Sequence, residues 1–198
     1  MAEKLDRRVR RSRRLLSDAV LILVTTKKFS EISVQDITDQ ADMNRTTFYL
    51  HFQSKEELLQ YALVERFDEL VSKFGEISQE RPIWQTPEID QMVFEHVAEY
   101  ATTYKALLDD PNLGLVIHAI IQYIADFNER TTLASLPVGV QPAFPIPILA
   151  QHIAGSLYAL IHWWLRNDMS YTPAKMADLT HQLWSTGCEK LLGSESTT

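Results

Sequence analysis

Residues 33–55 read SVQDITDQADMNRTTFYLHFQSK, and this stretch decides the fold. Ser33 can cap a helix, and Asp36 stands three residues later, as in a capping box. The apolar residues that follow at helical spacing are Val34, Ile37 and Ala41. The pattern therefore predicts a short helix over 34–41 with one apolar face.

The second half of the stretch predicts another short helix after a three-residue turn. Asp42 tolerates the left-handed conformation that a tight turn needs, and Asn44 can cap a helix over 45–51. Phe48 and Phe52 lie four residues apart and are predicted to point into the core. The residues left for the other side are Arg45, Thr46, Thr47, Tyr49, Leu50 and His51. Two short helices joined in this way form a helix-turn-helix, whose second helix enters the major groove of DNA.

Longer helices are predicted on both sides of this motif. A run of six arginines, Arg7 to Arg14, leads into an apolar helical pattern, and we expect a first helix over 6–27. A second capping box at residues 54–57 opens a long helix over 55–78. The motif is thus expected to pack on helices at both of its ends.

These patterns predict two domains. The first, 1–54, is a three-helix DNA-binding domain with a basic arm over 1–14 and the helix-turn-helix over 34–51. The second, 55–198, is a helical effector-binding and dimerisation domain. The helix that starts at its first residue is expected to link the two.

The side chains predicted to face outward suit DNA. Arginine can grip a guanine edge, threonine can touch a thymine methyl or a phosphate, and a tyrosine hydroxyl suits a phosphate. Lys55 lies at a helix start, where backbone N–H groups and the helix dipole favour a phosphate. Arg10 and Arg11 belong to the basic arm, which either reaches a minor groove or is a solvated end.

The charge is divided unevenly along the chain. Residues 1–55 carry 11 Lys+Arg and 7 Asp+Glu, a net charge of +4, although the whole chain has a net charge of -7. Residues 56–198 carry 8 and 19, a net charge of -11. The positive charge therefore lies where phosphates would be neutralised, and an acidic protein can still bind DNA.

The rest of the chain reads as helical. Glycine is scarce, with 6 residues, and no long alternating β pattern is present. The predicted helices cover 87–108, 112–129, 148–167 and 173–191. The stretch 130–147 carries four prolines and is expected to be a long loop. The fold class is therefore all-α, with about nine helices.

The segment 29–58 resembles the tetracycline-repressor (TetR) family of regulators. The residues that carry the resemblance include Phe29, Ile32, Ser33, Ile37, Ala41, the run Asn44 to Tyr49, His51, Phe52 and the run Ser54 to Leu58. Most members have Gly where Lys28 and Asp42 stand, and Ala where Thr38 stands. The DNA contacts that the resemblance implies are Ser33, Arg45, Thr46, Thr47, Tyr49, Leu50, His51 and Lys55, and we add the capping Asn44.

The C-terminal part is similar to the regulatory domain of one branch of that family, which shares the ADMNR turn and a WWL run. In such regulators the last two long helices of two chains form a four-helix bundle. Independently, helix 148–167 is apolar around most of its circumference and needs burial on several sides. The resemblance implies a homodimer that presents two reading helices to palindromic double-stranded DNA. The candidate interface residues are Leu157, Ile161, Trp164, Leu183 and Trp184.

An effector site is the second function that the C-terminal part can carry. Aromatic rings and histidines recur along its helices, and most of them serve core packing. A helical effector domain would build a ligand cavity from the same residue types, which favours a small apolar or aromatic effector. The candidate lining residues are Tyr100, Tyr104, His118, Tyr123, Phe127, His152, Tyr158 and His162.

No pattern indicates an enzyme, a cofactor or a metal site. There is no nucleophile–base pair and no phosphate loop, and His152 and His162 are ten residues apart and do not share a helix face. A single cysteine, Cys188, excludes an intrachain disulfide and suits the reducing cytoplasm. No segment approaches the roughly 20 apolar residues of a membrane span.

Three functional interpretations follow. The first is a dimeric repressor, released when a small effector shifts the population of DNA-binding conformations. The second is a coactivator or adaptor of the same fold, whose C-terminal domain binds a protein partner. The third, a small helical enzyme, has the weakest support because the chemistry-bearing motifs are missing.

Overall fold

The computed structural model describes residues 2–74, 85–136, 142 and 144–192. Within these ranges the chain forms nine α-helices and no strand, which confirms the all-α prediction. The helices are α1 Ala2–Leu23, α2 Val34–Gln40, α3 Arg45–Tyr49, α4 Lys55–Ser72, α5 Pro87–Glu99, α6 Ala101–Leu108, α7 Gly114–Ser135, α8 Ile146–Arg166 and α9 Pro173–Leu192. Single 3-10 turns stand at Phe29–Glu31 and Pro111–Leu113.

The helices belong to two compact units. Unit 1 comprises Met1–Phe67 and Thr102–Ile120, and unit 2 comprises Asp68–Ala101 and Ile121–Thr198. In the part of the chain that the structure describes, no helix is both long and apolar enough to cross a membrane.

Unit 1 is built around a single apolar core that includes the helix-turn-helix. Phe48 and Phe52, predicted to point inward, are both buried there. The other buried members are Leu16, Ala19, Val20, Val24, Phe29, Ile32, Ile37, Ala41, Leu58, Leu59, Ala62, Leu107, Leu113 and Val116. Since α3 has only five residues, this packing rather than its own hydrogen bonds holds it as a helix.

The caps of α2 and α3 form as the sequence predicts. The Asp36 amide donates to Ser33 Oγ at 3.1 Å, and the Ser33 amide donates to Asp36 Oδ2 at 2.7 Å, which completes the capping box. The Thr47 amide donates to Asn44 Oδ1 at 2.8 Å. Between the helices, Asp42 takes a left-handed φ of 52°, which reverses the chain.

Unit 2 packs α5 along α9 and buries the end of α8. Phe94 of α5 meets the Trp164 ring edge-on at 5.4 Å between centroids, and both side chains are fully buried. The Trp164 indole N–H donates to the Tyr171 carbonyl at 2.9 Å, so the buried ring leaves no polar atom unpaired. A second cluster joins Leu70, Phe74 and Ile89.

Several predicted helix boundaries are wrong, each for a local reason. The helix predicted over 87–108 is interrupted at Tyr100, where the backbone leaves helical dihedrals with φ -108° and ψ 27°. The helix predicted over 112–129 runs to Ser135. Hydroxyls in this added segment donate to carbonyls one turn back, as Thr131 does to Phe127 at 2.8 Å, so its polar residues do not break the helix.

The first helix also differs from its prediction. It ends at Leu23 rather than at 27, because the Thr25 and Thr26 hydroxyls donate to the carbonyls of Ile22 and Leu23 and close the helix end. At its other end α1 includes the whole arginine run, so the predicted basic arm is helical. The predicted loop over 130–147 is helical up to 135 and again from 146, and Pro137 lies outside the described residues.

Candidate nucleic-acid interface

The outward side of α3 is an exposed, mixed polar and apolar surface. Tyr49 is 53% exposed and Leu50 is 75% exposed, while Phe48 between them and the core is buried. Arg45 and Thr46 are exposed at the start of the helix. An exposed leucine and tyrosine in one short helix leave apolar area that a partner can cover.

The Asn44 cap also fixes its neighbour. The Thr47 hydroxyl donates to Asn44 Oδ1 at 3.0 Å, in addition to the Thr47 amide. The hydroxyl of Thr47 is therefore oriented by the cap. The residues after Tyr49 form a turn in which the His51 amide donates to the Phe48 carbonyl at 2.9 Å, so the helix predicted over 45–51 is two residues shorter.

Ser33 is committed to the capping box of α2. Its hydroxyl donates to Asp36 Oδ2 at 2.6 Å, and Lys27 Nζ lies 2.9 Å from Asp36 Oδ1. The Ser33 hydroxyl and amide, followed by the Lys27 ammonium, hold the pKa of the Asp36 carboxyl well below its usual range. Asp36 thus stays charged. It binds Ser33 at the start of α2 and Lys27 in the segment that follows α1.

Lys55 makes contacts that the sequence did not predict. Its ammonium donates to the carbonyls of Phe29 at 2.8 Å and Ile32 at 2.7 Å, and approaches that of Ser30 at 3.4 Å. The same ammonium lies 4.6 Å from the centroid of the Phe29 ring. A lysine has three donors, and here they satisfy the carbonyls of one 3-10 turn. The ammonium of Lys55, a predicted DNA-contact residue, is thus bound to backbone carbonyls of its own chain.

His51 is half-buried two residues after the end of α3. Burial, and secondly the charge of Arg13, lower its pKa. Its ring lies 6.4 Å from that of Phe52. The imidazole is therefore neutral around pH 7 and offers one donor and one acceptor.

Arg13, one of the six arginines of α1, also lies in this region, and the sequence pattern alone predicts no separate role for it. Its guanidinium carbon lies 5.4 Å from the Phe52 ring centroid and 5.0 Å from that of Tyr61. A signal was present in its spacing, since Arg13 precedes the buried Leu16 and Ser17 by three and four residues and so shares their helix face. Arg10 and Arg11 are exposed on the same helix.

Two family descriptions match the chain over most of its length. Residues 18–62 match the family described as bacterial regulatory proteins, tetR family. Residues 85–186 match the family described as transcriptional regulator C-terminal region. The chain belongs to the TetR family of bacterial regulatory proteins.

Two named relatives each match about a third of this TetR-family chain. It is 42% identical over 59 residues to the uncharacterized HTH-type transcriptional regulator YxbF of Bacillus subtilis, covering 29% of this chain and 16% of that protein. It is 34% identical over 61 residues to the HTH-type dhaKLM operon transcriptional activator DhaS of Lactococcus lactis, covering 31% of this chain and 33% of that one. The match thus spans a third or less of either relative.

Solved structures share the fold along most of the chain. A putative TetR-family regulator from Syntrophomonas wolfei is 20% identical, with 93% of this chain and 98% of that chain covered and a TM-score of 0.68. The regulator FadR from Bacillus subtilis, solved with stearoyl-CoA, is 16% identical, with 87% and 97% covered and a TM-score of 0.61. At these identities the likeness concerns the fold alone.

The candidate effector residues of this TetR-family chain are divided between the units. Tyr104 and His118 belong to unit 1, and the other six belong to unit 2. Within unit 2 the rings of Tyr158 and His162 lie 5.8 Å apart, while His152 is exposed. Phe127 packs on Phe74 at 6.5 Å and Tyr100 on His96 at 4.9 Å, and the Tyr123 hydroxyl donates to Asp68 at 2.8 Å, which raises the Tyr123 pKa.

A cleft of about 500 Å³ is present in unit 1, and none of the predicted effector residues lines it. Its walls are residues 24–29, residues 106–107 and residues 109–113. In the described ranges, no group of three or more His, Cys, Asp or Glu side chains is arranged to hold a metal ion.

The two adjacent tryptophans of α8 differ in burial. Trp164 was expected at a dimer interface, but it is fully buried in its own chain, so that expectation is wrong for this residue. Trp163 is 47% exposed and stacks on Tyr171 with centroids 6.3 Å apart. Of the other candidates, Leu183 is 72% exposed, and Leu157, Ile161 and Trp184 are partly buried.

One hydrogen-bonded pair of unit 2 had no signal in the sequence. His181 Nδ1 lies 2.7 Å from Asp90 Oδ2, and the two residues are 91 positions apart. Burial raises the pKa of Asp90 to about 6, against the opposing effect of the hydrogen bond from His181. The Trp184 ring packs edge-on against His181 at 5.6 Å. The pair joins α5 to α9.

Proposed function

We propose that this chain is a sequence-specific, DNA-binding transcriptional regulator that acts in the cytoplasm. The observation that carries the proposal is the exposed side of α3, capped by Asn44 and backed by buried Phe48, within a segment that matches the TetR DNA-binding family. A short helix fixed by its cap and core can enter a major groove without losing its shape. We assign it no enzymatic activity, since the relatives are named as regulators.

The proposed DNA contacts divide by chemistry. Arg45 and Leu50 face base edges, where an arginine binds guanine and an apolar side chain meets a thymine methyl. Tyr49, neutral His51 and Thr46 bind phosphates or base edges through hydroxyl and ring groups. The other residues that we propose to contact DNA are Ser33, Asn44, Thr47, Arg10 and Arg11. In this proposal Lys55 supports DNA binding by stabilising the 3-10 turn at Phe29–Glu31, and it does not bind a phosphate itself.

The active form in this proposal is a homodimer on palindromic double-stranded DNA. Leu183, Leu157 and Ile161 offer apolar area on α8 and α9, and we add exposed Trp163 to this surface. A twofold dimer carries two copies of α3, which matches the symmetry of a palindrome. A Leu183→Glu variant is expected to sediment as a monomer and to lose cooperative binding to the two half-sites.

The regulation in this proposal is release of a repressor by a small apolar or aromatic effector. The solved relative that binds stearoyl-CoA supports an apolar class of ligand. The effector would bind one conformation better than the other and so change the fraction of chains that can bind DNA. We retain as candidate lining residues the six that lie in unit 2, among them Tyr158 and His162.

A second candidate is an activator or adaptor. DhaS is named an operon activator, and it resembles this chain both in sequence and in structure. In that case the C-terminal unit would bind a protein partner. Measured transcription from the target promoter separates the two functions, because a repressor lowers it and an activator raises it.

The test of the reading surface uses a double substitution. Arg45→Ala with Tyr49→Ala should weaken binding to a DNA fragment from upstream of the gene by about 100-fold or more, since each lost contact costs about 1–3 kcal/mol. Arg130→Ala, an exposed charge in unit 2, is the control and should bind like the original chain. If the double variant binds with unchanged affinity, α3 is not the reading helix.

A further inference from the structure

Arg13 connects three segments of unit 1 through aromatic rings. It leaves α1 half-buried and lies over Phe52, which follows α3, and over Tyr61, which belongs to α4. The two rings also contact each other, with centroids 5.4 Å apart. A guanidinium is planar and attracted to ring faces, so two rings in reach hold it in one place.

The rings continue from Arg13 to the exposed side of α3. Phe52 lies 6.1 Å from Phe48, and Phe48 lies edge-on to Tyr49 at 5.2 Å. Phe52 also contacts the His51 ring at 6.4 Å. Two residues proposed to touch DNA are therefore packed, through one or two phenylalanines, on the rings that Arg13 covers.

The aromatic contacts rather than hydrogen bonds fix this side chain. Arg13 Nε is buried and has no hydrogen-bond partner among the described residues. The guanidinium lies instead over the rings of Phe52 and Tyr61. A hydrocarbon of similar length would fill the same space and lose only the attraction between charge and rings.

We propose that Arg13 is a positioning residue for DNA binding: by stacking on Phe52 and Tyr61 it fixes the C-terminal end of α3 and the direction in which Tyr49 and His51 face. The proposal rests on the DNA-binding function proposed above. Arg13 itself needs no contact with DNA in this role. The competing role for the same side chain is a direct bond to a phosphate, and the experiment separates the two.

The experiment measures affinity for the upstream DNA fragment at several salt concentrations, with full-length protein. Arg13→Met should bind about tenfold more weakly than the original chain, with an unchanged slope of log affinity against log salt. Arg14→Met removes the same charge from an exposed neighbour and serves as the matched control. A slope reduced by about one would assign Arg13 to a phosphate and overturn the positioning role. Equal weakening in the two variants would also overturn it.

Arg13→Lys provides the test if the methionine variant does not fold. Lysine keeps the charge but loses the planar stacking over two rings. We expect about threefold weaker binding with the original salt slope. Affinity equal to that of the original chain would overturn the proposal.

A second measurement needs no DNA. The His51 ring is titrated by NMR in the original chain, in Arg13→Met and in Arg14→Met. Because the Arg13 charge contributes to lowering the His51 pKa, that pKa should rise in the first variant and stay constant in the second. An unchanged His51 pKa in Arg13→Met overturns the arrangement. If the original chain binds no DNA while the pKa rises as expected, the proposed function fails and the Arg13–His51 arrangement stands.

Discussion

The helices α3 and α8 are stabilised in different ways. α3 has five residues, begins at the Asn44 cap after the left-handed Asp42, and is anchored by one buried phenylalanine. α8 has 21 residues and buries side chains toward both of its ends, from Ile146 to Ala154 and again at Trp164 and Leu165. A five-residue helix depends on its cap and its core, whereas a long apolar helix depends on which faces its neighbours cover. The comparison indicates that α3 is determined by residues next to it in the sequence, whereas the burial of α8 is determined by helices that are distant in the sequence.

The largest effect on stability is expected in a comparison of the two adjacent tryptophans of α8. Trp164→Ala removes a fully buried ring and its hydrogen bond to Tyr171, and should lower the free energy of unfolding by about 4 kcal/mol. Trp163→Ala removes an exposed ring and should cost about 1 kcal/mol or less. Urea unfolding followed by circular dichroism measures both. Equal losses would mean that the two faces of α8 are buried alike.

The next test concerns Lys55, whose ammonium binds the carbonyls of the 3-10 turn before α2. Lys55→Met leaves the carbonyls of Phe29 and Ile32 without their charged donor and should cost about 2 kcal/mol of unfolding free energy. Lys28→Met removes the same charge from an exposed side chain and should change stability by about 0.5 kcal/mol or less. Thermal melting of the two variants gives the comparison. If Lys55→Met does not lower the stability, the bonds to these carbonyls contribute little, and a phosphate contact becomes the favoured role of the Lys55 ammonium.

A pH titration tests the pairing between α5 and α9. Since burial raises the Asp90 pKa from 3.8 to about 6, the folded chain holds this proton more tightly than the unfolded chain. The stabilisation is complete below about pH 4 and is lost as pH rises through about 6, amounting to about 3 kcal/mol. Asp90→Asn removes the titration, so the stability of the original chain minus that of the variant should fall between pH 4 and 6.5. A difference that rises with pH would show that the hydrogen bond and charge of His181, which lower the Asp90 pKa, outweigh burial.

The smallest effect is expected at the cap of α3. Asn44→Ala removes the acceptor of the Thr47 amide and should cost about 1 kcal/mol. Asn44→Asp keeps an acceptor and should cost only a few tenths. Unfolding of the two variants under the same conditions measures the difference. If alanine is as stable as asparagine, the packing of Phe48 alone holds α3.

The features that could be predicted from the sequence are those with a local code. Ser33 with Asp36, and Asn44 with Thr47, were readable because a cap and its amide are only three residues apart. The inward position of Phe48 followed from its spacing to Phe52. For the same reason the helix-turn-helix was placed within two residues of its observed bounds.

The features that were missed depend on contacts distant in sequence. Lys55 reaches carbonyls 23 to 26 positions earlier, and Asp90 meets a histidine 91 positions later. Trp163 and Trp164 are chemically identical neighbours, so only the packing of unit 2 decides which one is buried. The interruption at Tyr100 had no glycine or proline to mark it.

The exposed positions of α3 have a consequence for how such a protein diversifies. Residues 45, 46, 49 and 50 contribute exposed side chains, while Asn44, Phe48 and Phe52 keep the helix in place. Surface substitutions away from caps and cores change stability by about 0.5 kcal/mol or less. If these side chains contact DNA as proposed, mutations at the exposed positions alter the DNA sequence that is read while the fold is preserved. Descendants of one ancestral gene can in this way acquire separate operators without first acquiring a more stable scaffold.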